Sequence, residues 1–200
     1  GGFESGKENW TVMNSSEVEL KWNDTPKEGD GVLHFYDNGN VDFQVTQEVE
    51  ITKAGDYRAY MYLQGGDGSE NDEIYIQVKN KTTKQCMRDY VLLKGWKNWQ
   101  KALTDTVQFN VGDVAEITIS ASCVSGAWGS FDEVYFYDNE TAVSHTHTYS
   151  LVAAKAPDCM VDGNKEHYIC KRCCTLFSDA NGTPAKEEDI IIKARGSHDL

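Results

Sequence analysis

The 200-residue sequence predicts an all-β chain: a two-sheet β-sandwich of the jelly-roll kind, followed by a second, small module stabilised by metal or disulfide. Three observations lead there. Short segments alternate apolar and polar residues with period two, clusters of turn-forming residues separate them, and no stretch with an amphipathic helical period interrupts the series.

The alternating segments are Val32 to Tyr36, Phe43 to Ile51, Tyr57 to Gln64, Glu73 to Val78, Thr106 to Val111, Ala115 to Ala121 and Phe131 to Tyr137. Between them, Asn38-Gly39-Asn40, Ala54-Gly55-Asp56, Gly65-Gly66-Asp67-Gly68 and Val111-Gly112-Asp113 supply residues that tolerate positive φ. Strands this short and this closely spaced bury one face each when two antiparallel sheets stack. In Tyr57–Gln64, successive side chains point to opposite faces, so Tyr57, Ala59, Met61 and Leu63 face inward and Arg58, Tyr60, Tyr62 and Gln64 outward. In Glu73–Val78 the same rule turns Ile74, Ile76 and Val78 inward and Glu73, Tyr75 and Gln77 outward. The two segments together predict a polar, aromatic outer sheet.

Composition divides the chain near Asp138–Ser144, giving a sandwich over 1–140 and a small Cys/His module over 141–200. All five tryptophans lie in the first part, as does nearly all of the acidic excess behind the formal net charge of -13. That charge repels a phosphate backbone, which excludes nucleic acid as a partner. No apolar run reaches the length of about 18–20 residues needed to span a bilayer. The N-terminus lacks the basic-then-apolar shape of a signal peptide, so the chain reads as an excised internal fragment, and a monomer is expected.

A sugar presents hydroxyl edges and apolar C–H faces, so its site needs flat aromatic platforms beside hydrogen-bonding side chains. The candidate platforms are Tyr36, Tyr60, Tyr62, Trp96, Trp99 and Trp128, with Arg58, Gln64, Asp67 and Gln100 as polar partners. Trp128, set among Gly126, Ala127 and Gly129, and Trp96, after Gly95, read as loop residues and rank first. Trp99 reads as the start of a strand, packing inward at one end. Cys86 and Cys123 are either an intramodule disulfide or two buried thiols.

Five strings in order, G-G-F-E at 1–4, L-H-F-Y at 33–36, Q-G-G-D at 64–67, G-W-K-N-W-Q at 95–100 and G-A-W-G-S-F-D-E at 126–133, resemble family 61 carbohydrate-binding modules. The likeness spans nearly all of residues 1–138. It implies a β-sandwich that binds β-1,4-galactan without catalysis, covalently linked to a family 53 endo-β-1,4-galactanase and placed outside a bacterial cell or on its surface. Phe131-Asp132-Glu133 departs from the adjacent aspartates frequent in that pattern, and Tyr36 stands where tryptophan is equally familiar. Both departures bear on specificity. The resemblance further implies a structural calcium held by Glu4 and Asp132, whose hard carboxylate oxygens suit that ion; the alternative is two solvated or ion-paired surface acids.

The second module reads His145-Thr146-His147-Thr148-Tyr149, then Cys159, then Cys170-Lys171-Arg172-Cys173, ending near His198. It resembles a short repeat of bacterial surface proteins. Cys170 and Cys173 form a C-x-x-C knuckle whose thiolates can meet one tetrahedral zinc. Cys159 with His198, His145 or His147 completes the set, and three cysteines with His198 are the expected ligands. The rival is a disulfide from Cys159 to Cys170 or Cys173. Either cross-link would serve a unit too small to build a large core.

Three function classes follow: a binding module for galactan or another galactose-containing glycan, an enzyme, and a cell-surface structural or protein-interaction segment. Glycosidases need two carboxylates flanking one bond, and the adjacent Asp132 and Glu133 point to opposite faces of a strand, so the chain is expected not to be an enzyme.

Overall fold

A computed structural model describes residues 2–13, 18–22 and 24–194. The chain divides into two compact units, 1–144 and 145–200. Among the described residues no helix is long and apolar enough to cross a membrane.

The first unit contains eleven strands: β1 (Thr11–Met13), β2 (Val18–Trp22), β3 (Gly31–Tyr36), β4 (Val41–Glu50), β5 (Gly55–Gly66), β6 (Glu73–Asn80), β7 (Cys86–Val91), β8 (Gly95–Leu103), β9 (Val107–Phe109), β10 (Val114–Cys123) and β11 (Trp128–Asp138). One sheet has the order β1-β4-β10-β6-β7 and the other β2-β3-β11-β5-β8, with β9 added beside β5. All pairings are antiparallel. The inner faces meet in one core. Phe35 and Phe131 from the second sheet pack on Phe43 from the first, with ring centres 5.4 and 6.2 Å away. Ala59, Met61 and Leu63 of β5 and Ile74, Ile76 and Val78 of β6 are buried as their alternation requires.

Two expectations change. Segments β5 and β6 belong to opposite sheets, so the outward residues of the two strands line opposite surfaces rather than one polar, aromatic sheet. Period two tells which residues share a face of a strand, and it is silent on which strands share a sheet. Strands β1, β2 and β7 lie outside the expected set, β8 begins four residues before the start expected at Trp99, and all four are sheet edges. Edge strands are short and charged because an exposed edge must resist pairing with other chains, as in Cys-Met-Arg-Asp-Tyr-Val of β7, and this blurs alternation.

Cys123 is a buried free thiol, so the Cys86–Cys123 disulfide is not formed. Register explains this: Cys86 is level with Lys79, and Lys79 with Glu116. Cys123 lies further along β10 by about 24 Å at a rise of roughly 3.4 Å per residue, far beyond disulfide reach.

The second unit has β12 (Ser150–Val152), β13 (Gly163–Asn164), β14 (His167–Ile169), β15 (Leu176–Phe177), the one-turn helix α1 (Glu187–Ile190) and β16 (Ile191–Ile192). Strands β12, β14 and β15 form one small sheet, and β13 and β16 another. Its buried apolar side chains among the described residues are Cys170, Cys173, Phe177 and Ile190.

Candidate functional site

The outer face of the second sheet carries most of the expected sugar-site residues, and the structure sorts them into two groups. At one end of the sheet, Trp128 of β11 stands opposite Tyr36 of β3 and opposite Gly66 of β5. One residue on, Gly65 pairs with Gly95, which Trp96 follows. Four neighbouring strands therefore present an aromatic row, Tyr36, Trp128 and then Trp96, across about 14 Å at roughly 4.8 Å per strand.

The local sequence builds this row. A side chain on Gly66 would begin 3.3 Å from the Trp128 indole, so glycine there lets the ring lie against β5. The indole Nε1 donates to Asp67 Oδ2 at 2.8 Å, fixing the ring in its plane. Asp67 adopts φ 57° and Lys97 φ 61°, left-handed values unusual for residues with a side chain. Such conformations persist where the surroundings hold them and concentrate at ligand sites. Trp96 is 63 % exposed and Tyr36 49 %; the Lys97 ammonium rests 4.8 Å from the Trp96 ring centre, and the Tyr36 hydroxyl donates to Asn38 Oδ1 at 2.5 Å. Trp128 and Trp96 are strand residues, not loop residues as their glycine neighbours suggested. The half-buried Trp99 lies further along β8 and shares, by alternation, the side of Lys101.

Toward the other end of the face, Tyr60, Tyr62, Tyr135 and Tyr137 form a layer of their own. Tyr60 stacks on Tyr135 with ring centres 5.0 Å apart, and the Lys101 ammonium sits 4.0 Å from the Tyr60 ring. Lys27 lies 4.1 Å over Tyr62 and pairs with Glu133 at 3.0 Å. These ring faces are already covered, so Tyr60 and Tyr62 stand apart from the exposed row.

The segment 24–30 crosses between the two groups. Gln64, only 1 % exposed, donates from Nε2 to the Thr25 carbonyl at 3.2 Å and accepts from the Lys97 amide at 2.5 Å. It holds the frame of the row and is not an open sugar contact. Arg58 Nε donates to the Thr104 carbonyl at 2.8 Å, and Gln100 Nε2 to Asn98 at 2.9 Å, so both are committed to local structure.

Glu4 and Asp132 do come together. Asp132, fully buried, accepts from the Lys27 and Glu28 amides on Oδ2 and from Glu133 N on Oδ1. Glu4 accepts from Asp30 N and Gly31 N. A point where Gly2 would carry a side chain lies 2.8 Å from Asp132 Oδ1 and 3.3 Å from Glu4 Oε1, so the two carboxylates border one small hollow. Asp132 Oδ1 and Glu4 Oε1, the oxygens that face this hollow, are the ones that would hold a hard cation there.

In the second unit the C-x-x-C knuckle meets two histidines. His145, His147, Cys170 and Cys173 offer ligand atoms all within 4.8 Å of one another. Cys170 Sγ lies 3.4 Å from His145 Nε2, and Cys173 Sγ 3.4 Å from His147 Nδ1. Burial alone would raise the Cys170 thiol. Hydrogen bonds from His147, the backbone amides of Cys173 and Thr148, and His145 outweigh it and bring it down to about 5. Cys159 is exposed and free in the turn that the Asp158 carboxylate organises, outside the cluster, and His198 lies outside the described residues. Cys159 is thus corrected out of the expected ligand set, and the disulfide from Cys159 to Cys170 or Cys173 is absent because all three are thiols. The cause is register: Ser150 pairs with Ile169, so residues before β12 run back alongside residues after β14. His-x-His on an extended chain puts both rings on one side, a signal that spacing alone contained.

No family model matches the chain, and no curated protein does. Solved structures of similar fold include carbohydrate-binding modules. One is TmCBM61 in complex with β-1,4-galactotriose, 24% identical over 69% of this chain and 94% of that chain, with a TM-score of 0.61. Another is a family 16 carbohydrate-binding module, 12% identical over 69% of this chain and 96% of that chain, with a TM-score of 0.51.

Proposed function

We propose that residues 1–144 form a non-catalytic carbohydrate-binding module that takes β-1,4-galactan on the row Tyr36, Trp128 and Trp96, with Asp67 beside it. One observation carries this: three aromatic rings at one level of the sheet, two of them about half exposed or more, with the middle indole locked by Asp67. Rings held in place before binding lose little conformational freedom when a sugar face stacks on them. The similarity to a module solved with β-1,4-galactotriose supports galactan over other galactose-containing glycans. Calcium in the hollow between Glu4 and Asp132 would tie the N-terminal segment to β11. The parent protein is an extracellular or cell-surface bacterial endo-β-1,4-galactanase, which the module holds on its substrate by tethering.

Calorimetric titration with galacto-oligosaccharides tests the reading. Saturable binding that Trp128→Ala reduces at least about tenfold, the equivalent of roughly 1.4 kcal/mol, is expected. A flat titration would move the sandwich to the structural-segment class.

A further inference from the structure

We propose that the second unit is folded around one zinc ion held by His145 Nε2, His147 Nδ1, Cys170 Sγ and Cys173 Sγ. This is a closed, structural site that takes no ligand from Cys159.

Four donors from two chain segments converge, two nitrogens from the extended run before β12 and two sulfurs from the turn after β14. Sulfur–nitrogen separations of 3.4 Å are close to those spanned by two ligands of one tetrahedral ion with bonds of about 2.3 Å to sulfur and 2.0 Å to nitrogen. The turn is shaped as a knuckle. Cys174 N donates to the Cys170 carbonyl at 2.8 Å, and Cys170 N to the Thr175 carbonyl at 3.0 Å. Cys174 takes φ 59°, which turns the chain sharply after the second ligand.

Charge completes the case. Two thiolates and two neutral imidazoles cancel the charge of one Zn²⁺, so a neutral complex can be buried where a bare thiolate pair would be costly. Soft sulfur and imidazole donors select zinc over magnesium or calcium. The cluster differs from a catalytic cysteine–histidine pair, which needs one thiolate and one base opening on a substrate; here both cysteines are buried and each faces a histidine.

The cluster is also joined to the small buried core of the unit. His147 and Tyr149 pack edge-on against Phe177, with ring centres 5.2 and 4.9 Å apart, so the ligand segment and the small buried core are one assembly. Losing the metal should release both.

The test uses the full chain, purified without chelator. Elemental analysis should give about one zinc per chain, and cobalt substitution should give the visible absorption of a tetrahedral site with thiolate-to-cobalt charge transfer. Cys159→Ala and His198→Ala should keep the metal, and the double variant His145→Ala, His147→Ala should lose at least about nine-tenths of it. If the double variant fails to fold, the cobalt spectrum of the unmodified chain still decides, because two sulfur and two nitrogen ligands are distinguishable from three sulfurs and one nitrogen. A metal-free chain with four titratable free thiols, a three-sulfur spectrum, or loss of zinc in Cys159→Ala would overturn the proposal. Galactan binding by residues 1–144 is read separately by titration, so either reading can fail without the other.

Discussion

The two units of this chain hold themselves together by different physics. The first buries phenylalanine, isoleucine, valine and leucine side chains from both sheets in a continuous core. The second buries, among its described apolar side chains, two cysteines, one phenylalanine and one isoleucine. Apolar burial grows with the number of strands that can stack, and a unit of short two- and three-residue strands has little to stack. What it has is a set of donors brought together by one antiparallel pairing. A sandwich can leave aromatic rings on its surface because its core does not need them, whereas in the small unit the ligand histidine is also a packing residue.

The contrast breaks most visibly if metal removal affects both units alike. A zinc-selective chelator should unfold the second unit, exposing residues 145–194 to limited proteolysis. It should leave tryptophan fluorescence unchanged, since all five tryptophans lie in the first unit; a fluorescence change would tie the sandwich to the metal. In the opposite direction, Phe131→Ala empties the centre of the sandwich core and should cost about 3–5 kcal/mol. Urea unfolding followed by tryptophan emission measures this, with zinc content unaltered. Tyr135→Ala removes the stacking partner of Tyr60 and should cost about 0.5–1.5 kcal/mol without weakening sugar binding, which sharpens the division between the tyrosine layer and the exposed row.

The smallest effect is a pH dependence. Burial first, and the nearby Lys21 charge second, hold the His34 imidazole below its ordinary range, while Asp24 and Glu19 pull the other way. The folded state thus binds that proton less readily than the unfolded chain. The stability His34 contributes is present above the ordinary histidine range near 6.5 and is lost as pH falls toward the lower folded value. His34→Gln should flatten the stability profile across that window when thermal midpoints are compared.

Much of the sandwich was legible because buried central strands alternate cleanly, as β5 and β6 do. The edge strands were not, since the adjacent Arg88 and Asp89 of β7 and the Lys97-Asn98 pair of β8 interrupt the apolar–polar alternation. Trp128, Asp67 and Tyr36 read from the sequence as an aromatic platform with polar support, and the structure brings them to one end of the sheet. Gln64 was misplaced because alternation points it outward without showing that segment 24–30 crosses over it. Tyr60 and Tyr62 share a face with the row yet lie toward the far end of β5, and distance along a strand carries no composition signal. In the second unit the C-x-x-C knuckle was plain. Its partners depended on the pairing of Ser150 with Ile169, which two short strands do not announce.

Whether the aromatic row binds galactan is decided by isothermal titration of the chain with β-1,4-galactotetraose, alongside cellotetraose, xylotetraose and mannotetraose and repeated with Trp128→Ala. Binding to the galactan oligosaccharide alone, reduced at least about tenfold in the variant, is expected. Equal binding by the variant, or none to any of the four sugars by the unmodified chain, would contradict it.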